Sequence, residues 1–228
     1  MQSQEKSEIS RDLIIKAAME EFCERGFQGA SVRRICKASG VTNGRLFHHF
    51  KDKNEIFLAV AETYFQTLAA YMEQFRPNFS KSLEENSLLL FAHWQNFWRM
   101  HPNTDTLFIQ IRINPPQGLQ RELLAVRRRT FVRSLKMVLH DVFAFYYPND
   151  FEQQAFLTGV WLSVLDYTVV GIGLQKIDLY DSMEEWMRSQ ASMFQKILTA
   201  FLYGVDSESF ATFRRERQAY LPNTDTEE

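Results

Sequence analysis

Ser31-Val-Arg-Arg-Ile-Cys-Lys-Ala-Ser-Gly40-Val-Thr-Asn-Gly-Arg-Leu-Phe-His-His-Phe50 reads as two short helices joined by a glycine corner. Ser31 stands where it can cap the first helix, whose Val32, Ile35 and Cys36 share one face, and Gly40 follows at the position that needs a left-handed residue. Val41 fits the corner. Thr42 can cap the second helix, in which Leu46 and Phe50, four residues apart, face inward and leave Asn43, Gly44, Arg45, Phe47 and His49 outward. Two such helices form a helix-turn-helix, whose second member can enter the major groove of DNA. The same shape also occurs as a plain corner in helical bundles, so charge has to decide between the two.

The chain has a formal net charge of −2, but the charge is unevenly spread. From Arg25 to Lys53 seven basic residues (25, 33, 34, 37, 45, 51 and 53) face one acid, Asp52, a local balance of +6 with His48 and His49 in addition. The rest of the chain carries 19 basic and 27 acidic residues, a balance of −8. A compact basic patch on an otherwise acidic protein is the footprint of a polyanion-binding site.

Periodicity elsewhere is helical, and no segment alternates apolar and polar residues, which predicts an all-α protein. Ile14, Ala17, Ala18, Glu21-Phe22 and Arg25 define a first helix stopped by Gly26. Asp52-x-x-Glu55 opens a long helix to about Phe75, and Ser82-x-x-Glu85 opens another that ends at His101-Pro102. A short helix spans Thr104 to Ile113, and a long one runs from Gln117 to Tyr147. Asp150-x-x-Gln153 and Ser182-x-x-Glu185 open the last two, over Asp150 to Leu174 and Asp181 to Tyr203, and Gly204 terminates the second. Beyond it the chain is polar, with a short helix compatible with Phe210 to Tyr220 and disorder expected from Pro222 to Glu228.

At 228 residues and 45% hydrophobic content the chain can bury a sizeable core. Cys23 and Cys36 fall at apolar helix positions, which predicts free buried thiols. Leu13-Ile14-Ile15, flanked by Asp12 and Lys16, is far too short for a signal-peptide core, so a cytoplasmic protein is expected. Ala155 to Leu174 is long enough to cross a bilayer, yet Asp166 at its centre would cost about 3 kcal/mol on insertion scales. A helix buried on most sides by protein, with no membrane partner, is the expectation. No Ser-His-Asp order, metal triad or Gly-rich phosphate loop is found, so neither an enzyme nor a cofactor is expected. His48 and His49 make a poor metal pair, because adjacent helical side chains point about 100° apart.

Residues 10 to 60 resemble the DNA-binding domain of the tetracycline-repressor (TetR) family. The resemblance rests on Ala17-Ala18, Phe22, Gly26-Phe27, Ser31-Val32-Arg33, Ile35-Cys36, Ala38, Gly40-Val41-Thr42, Gly44, Leu46-Phe47-His48-His49-Phe50, Lys51 and Lys53. It implies an arm over 1–9 and a three-helix DNA-binding domain over 10–56, with the motif at about 31–50. A helical ligand-binding and dimerisation domain over 57–204 and a polar tail over 205–228 would follow. A dimeric repressor released from double-stranded operator DNA by a small molecule is the function implied; a ligand-independent DNA-organising protein is the alternative.

For the DNA face, the family pattern implies that Arg33 reaches DNA, where a guanidinium can read guanine O6 and N7. Thr42, Asn43, Gly44 and Arg45 form the leading turn of the recognition helix, with Asn43 suited to adenine, Arg45 to guanine and Gly44 leaving room for close approach. Ser31 and His48 complete the set. His49 and Lys53 match family positions that hold the DNA backbone. Phe47 stands where the family often has tyrosine and, lacking a hydroxyl, is suited to sugar or a thymine methyl.

The regulatory half is rich in aromatic residues. Trp94, Phe97, Trp98, Phe108, Arg112, Phe131 and Trp161 are candidates to line an effector pocket, although at helical spacing each also serves as core. Asp166 and Tyr167 join them, Asp166 expected to meet Arg112 or a cationic ligand group. The family resemblance implies that the last two long helices pair across a two-fold axis. Gly159, Ser163 and Gly171 would allow close approach, and Trp186, Met193, Ile197 and Phe201 would supply an apolar stripe.

Overall fold

The computed structural model describes residues 2–101, 104–175 and 182–203, with the side chains at 2–4, 105, 166–175, 183, 186, 187, 199 and 201–203 left undescribed. The described residues form helices and no strand: α1 (Gln2–Gly29), α2 (Val32–Ser39), α3 (Asn43–His49), α4 (Lys53–Met72), α5 (Leu83–Met100), α6 (Asp105–Arg112), α7 (Gln120–Arg127), α8 (Arg133–Tyr146), α9 (Phe151–Gln175) and α10 (Met183–Tyr203). The expected arm is helical from Gln2, the opening of α1.

Side-chain caps start five of these helices where the sequence places them. Thr42 Oγ1 accepts the Arg45 N–H at 3.3 Å, Asp52 Oδ1 accepts that of Glu55 at 3.0 Å, and Asp150 Oδ1 accepts that of Gln153 at 2.9 Å. Ser82 and Glu85 close a reciprocal capping box, and Ser182 Oγ accepts the Glu185 N–H at 3.1 Å. Ser31 is the exception. It holds the N-cap position of α2 in extended conformation, but its hydroxyl makes no capping bond. Gly40 ends α2 in the left-handed region, at φ 68°.

α7 and α8 are one continuous helix interrupted by a π-helical turn at Arg128–Val132. The sequence predicts an uninterrupted helix here, and the reason for the difference lies in the apolar spacing. Leu123 and Val126 are buried, and so are Phe131, Leu135, Leu139 and Val142; the step from Val126 to Phe131 is five residues, one more than an α-turn absorbs. The Val126 carbonyl is satisfied by the Thr130 hydroxyl at 2.7 Å. The widened turn keeps the apolar faces of α7 and α8 on the same side.

Two packed regions result. In the first, α1 to α3 and the start of α4 enclose Ile14, Ala18, Phe22, Ile35, Leu46 and Phe57, all at 0% exposure. In the second, α4 to α10 enclose Tyr64, Phe65, Trp94, Phe97, Trp98, Phe108, Phe131, Trp161 and Phe194. α9 departs from its expected burial: Leu157, Trp161, Val164 and Leu165 are covered, whereas Ala155, Phe156, Gly159 and Ser163 are exposed. No helix among the described residues is long and apolar enough to cross a membrane.

The orientation of α2 on α1 depends on a buried carboxylate. Glu21, 8% exposed, accepts the Ser31 N–H at 3.0 Å and the Arg34 Nε–H at 2.6 Å, with Arg25 Nε at 3.6 Å. Removing it leaves an uncapped N–H at the start of α2 and a guanidinium without its anion. Glu21→Ala is therefore expected to lower the unfolding free energy by about 2 kcal/mol. A urea transition with an unchanged midpoint would show that the contact is dispensable.

Candidate nucleic-acid interface

α2 and α3 meet at the Gly40-Val41 corner, with Val41, Leu46 and Phe50 buried as the spacing predicts. The opposite surface is open: Arg33, Lys37, Thr42, Asn43, Gly44, Arg45, Phe47 and His48 are exposed, and Ser31 is half-buried. Phe47 is 47% exposed, an aromatic ring left in solvent beside basic neighbours. A methyl at Gly44 would meet nothing within 4 Å, so close approach from outside is unobstructed. Asn43 Oδ1 lies 3.7 Å from the Cys36 thiol, whose pKa burial pushes up.

The basic residues divide into two groups. Arg34 and Arg25 serve Glu21, and Arg34 also donates to the Gly29 carbonyl. Arg33, Lys37 and Lys51 remain exposed. Arg45 leans back across the surface, its Nη2 donating to the Lys6 carbonyl at 2.8 Å, so that the opening turns of α1 flank α3.

Lys53 is half-buried, and its ammonium donates to the carbonyls of Phe27 at 2.8 Å and Ala30 at 3.3 Å while lying 4.5 Å above the Phe27 ring. These carbonyls close α1, where the helix dipole favours a cation. His49, expected outward, is half-buried, because it lies three residues past Leu46 and so at the edge of the inner face. Its Nε2 is buried with no hydrogen-bond partner among the described residues. Burial first, then the charges of His48, Arg45 and Arg11, hold its pKa below the ordinary 6.5. Beside it a cleft of about 410 Å³ separates the N-terminal helices from α7, lined by Arg11, Glu55, Glu62 and Arg129 among others. Arg129 grips Glu62 at 2.8 Å across this junction.

In the second region the aromatic candidates touch one another. Trp98 meets Phe108 at 4.8 Å between ring centroids and Trp94 at 5.8 Å, and Trp94 meets Phe131 at 5.6 Å. Phe97 packs on Tyr64, while Trp161 belongs to a neighbouring cluster with Phe91 and Phe194. Arg112 is half-buried on α6. Four buried polar atoms have no hydrogen-bond partner among the described residues: Trp98 Nε1, Trp161 Nε1, Ser87 Oγ and Gln190 Oε1. Ser87 and Gln190 were invisible to sequence reasoning because a polar residue inside an apolar stripe carries no sign of its partners.

Of the candidates for pairing, Gly159, Ser163, Met193 and Ile197 line one open groove of about 650 Å³ between α9 and α10, with Ala155, Phe156, Val160 and Val164. The side chains of Asp166, Tyr167, Trp186 and Phe201, and the surroundings of Gly171, lie outside the described residues.

Residues 14–60 match the profile of the bacterial regulatory proteins of the tetR family. The transcriptional repressor AcnR of Corynebacterium efficiens is 48% identical over 52 residues, which are 23% of this chain and 28% of AcnR. The chain therefore spans under a third of the length of that relative. The fold is shared more widely. Salmonella enterica GusR superposes with a TM-score of 0.61 at 23% identity, covering 85% of this chain and 95% of GusR. FadR of Bacillus subtilis, solved with stearoyl-CoA, gives a TM-score of 0.55 at 16% identity over 85% of this chain and 98% of its own. Over residues 14–60, this chain is thus similar in sequence to the bacterial regulatory proteins of the tetR family.

Proposed function

We propose that the protein is a dimeric transcriptional repressor that binds operator DNA through α2 and α3 and leaves it when a small apolar molecule enters the aromatic region. The observation that carries this reading is the exposed face of the glycine-hinged helix pair, where Arg33, Asn43, Arg45 and Phe47 stand free of the core on a segment of charge +6. α3 fits the major groove, with Asn43 and Arg45 reading bases, Arg33 from α2 adding a contact, and Thr42, His48, His49 and Lys53 near the phosphates. Two recognition helices about 34 Å apart would span successive major grooves of a near-palindromic site.

Dimerisation is supported by the groove between α9 and α10. Its apolar walls and the small residues Gly159 and Ser163 suit a second copy of the same helices, which would cover the face of α9 that one chain leaves open. The effector reading is supported by the orphaned Trp98, Trp161, Ser87 and Gln190 atoms, since each unpaired buried group costs about 1–3 kcal/mol. A largely apolar molecule with hydrogen-bonding groups would relieve them. FadR, of the same fold, holds stearoyl-CoA. An effector must bind the DNA-incompetent arrangement better than the competent one.

Selection of genomic duplexes by the purified protein should enrich one near-palindromic sequence, and Arg45→Ala should cost about 1–3 kcal/mol of discrimination at a single base pair per half-site. Enrichment of no sequence would refute the reading. His49 supplies a pH test. Its pKa is depressed in the free protein, and a phosphate beside it would raise that pKa, so the complex would bind more protons than its parts. Operator affinity should strengthen as pH falls through 6.5 and below, and the dependence should flatten in His49→Gln. Ile197→Asp, which places a charge in the groove between α9 and α10, should convert dimer to monomer in sedimentation and weaken operator binding; an unchanged sedimentation coefficient would exclude this face.

A further inference from the structure

The backbone at Gly26 leaves the helical region, with φ 66° and ψ 172°, a conformation that only glycine adopts without strain. The break deprives the next residue, Phe27, of a helical acceptor for its N–H. The acceptor comes from outside the DNA-binding domain: Gln110, on α6, offers its Oε1 to the Phe27 N–H. Its Nε2 donates to the Thr106 carbonyl at 3.1 Å, which anchors the amide to its own helix. The Gln110 amide lies so close to Gly26 that an added Cβ would meet it at 3.4 Å.

Phe27 is held on its other side by Lys53. One residue thus has its N–H fixed by α6, its carbonyl bound to the ammonium at the head of α4, and its ring packed on Phe57 at 5.2 Å and beneath that same ammonium. The Phe27 and Ala30 carbonyls use two of the three donors of the ammonium, leaving one for an outside acceptor. α6 in turn is seated in the aromatic region by Phe108, against Trp98 and Tyr64.

We infer that Gln110 is a positioning residue for DNA binding: by holding Phe27 it fixes the carbonyls that aim Lys53 at the DNA backbone, and through α6 it makes that aim dependent on the aromatic region. This rests on the repressor reading and adds to it a route from the aromatic region to the DNA face by α6 and α1. Withdrawal of α6 leaves the Phe27 N–H unpaired, loosens the last turn of α1 and releases Lys53 from a fixed to a mobile position.

The test is the salt dependence of binding to a mixed-sequence duplex long enough for two half-sites. Lys53→Met should reduce the slope of log affinity against log salt by about 0.9, the loss of one phosphate contact. Gln110→Ala should reproduce most of that reduction, and adding Lys53→Met to it should change little further. Gln110→Glu, which keeps an acceptor for Phe27, should stay near the wild-type slope. Should Gln110→Ala fail to fold, Gln110→Met keeps the length of the side chain without the acceptor and serves the same comparison. A folded Gln110→Ala or Gln110→Met protein with the wild-type slope, or additive effects of the Gln110 and Lys53 substitutions, would overturn the inference while leaving the repressor reading intact. Wild-type protein that binds no duplex would overturn both.

Discussion

The contact on which the two regions depend is the junction at the end of α1, where a glycine breaks the helix and exposes backbone groups that other helices must satisfy. A continuous helix through Gly26 would bond its own amides and offer nothing to its neighbours. The break turns the Phe27 peptide outward, and it is claimed by α6 on one side and by the first residue of α4 on the other. Glu21, one turn before the break, performs the parallel service for α2. The helix-turn-helix is thus fixed to a frame through a few polar contacts at helix ends, and α3 contributes Leu46, with Phe50 just past its end, to the buried core.

That arrangement explains how a small domain keeps a largely polar, open face and still holds its shape. Buried polar contacts of this kind are directional, so they set angle and register where apolar packing alone would tolerate sliding. The second region has the opposite character. Its interior is built of clustered aromatic rings in edge, tilted and stacked contacts, interrupted by a few polar atoms with no hydrogen-bond partner among the described residues. Rings can trade one another's faces for those of a ligand at small loss of contact, and the unpartnered atoms give such an exchange a direction.

Much of this was legible in the residues because it is local. A cap needs an acceptor three residues before a donor, and Thr42, Asp52, Ser82, Asp150 and Ser182 declare themselves by that spacing. Gly40 is required by the corner it makes, and Leu46 and Phe50 by their distance of one turn. What escaped is set by tertiary placement. Lys53 reads as a surface cation for DNA, and nothing in its neighbours along the chain tells that Phe27, 26 residues earlier, holds it. Gln110 reads as an unremarked polar residue on a short helix, and its partner is 83 residues away. Ser31 looks like a capping residue but yields that role, because Glu21 takes its N–H and the hydroxyl stays out of the cap. His49 was assigned outward on a period that, over so short a helix, cannot separate the flank from the front.

The widened turn at Arg128–Val132 was within reach of the sequence, in the five-residue interval between Val126 and Phe131. It has a bearing on how chains of this fold diverge. Loss of one residue in that interval would leave a helix of ordinary pitch and nearly the same length. Relative to α7, every side chain beyond it would keep the place its own number predicts only if the deletion and the closing of the turn occurred together, because each alone swings α8 by about 100°. Length variation at this point is therefore a paired event, and an aligned relative one residue shorter here should carry a plain helix with the same inward faces.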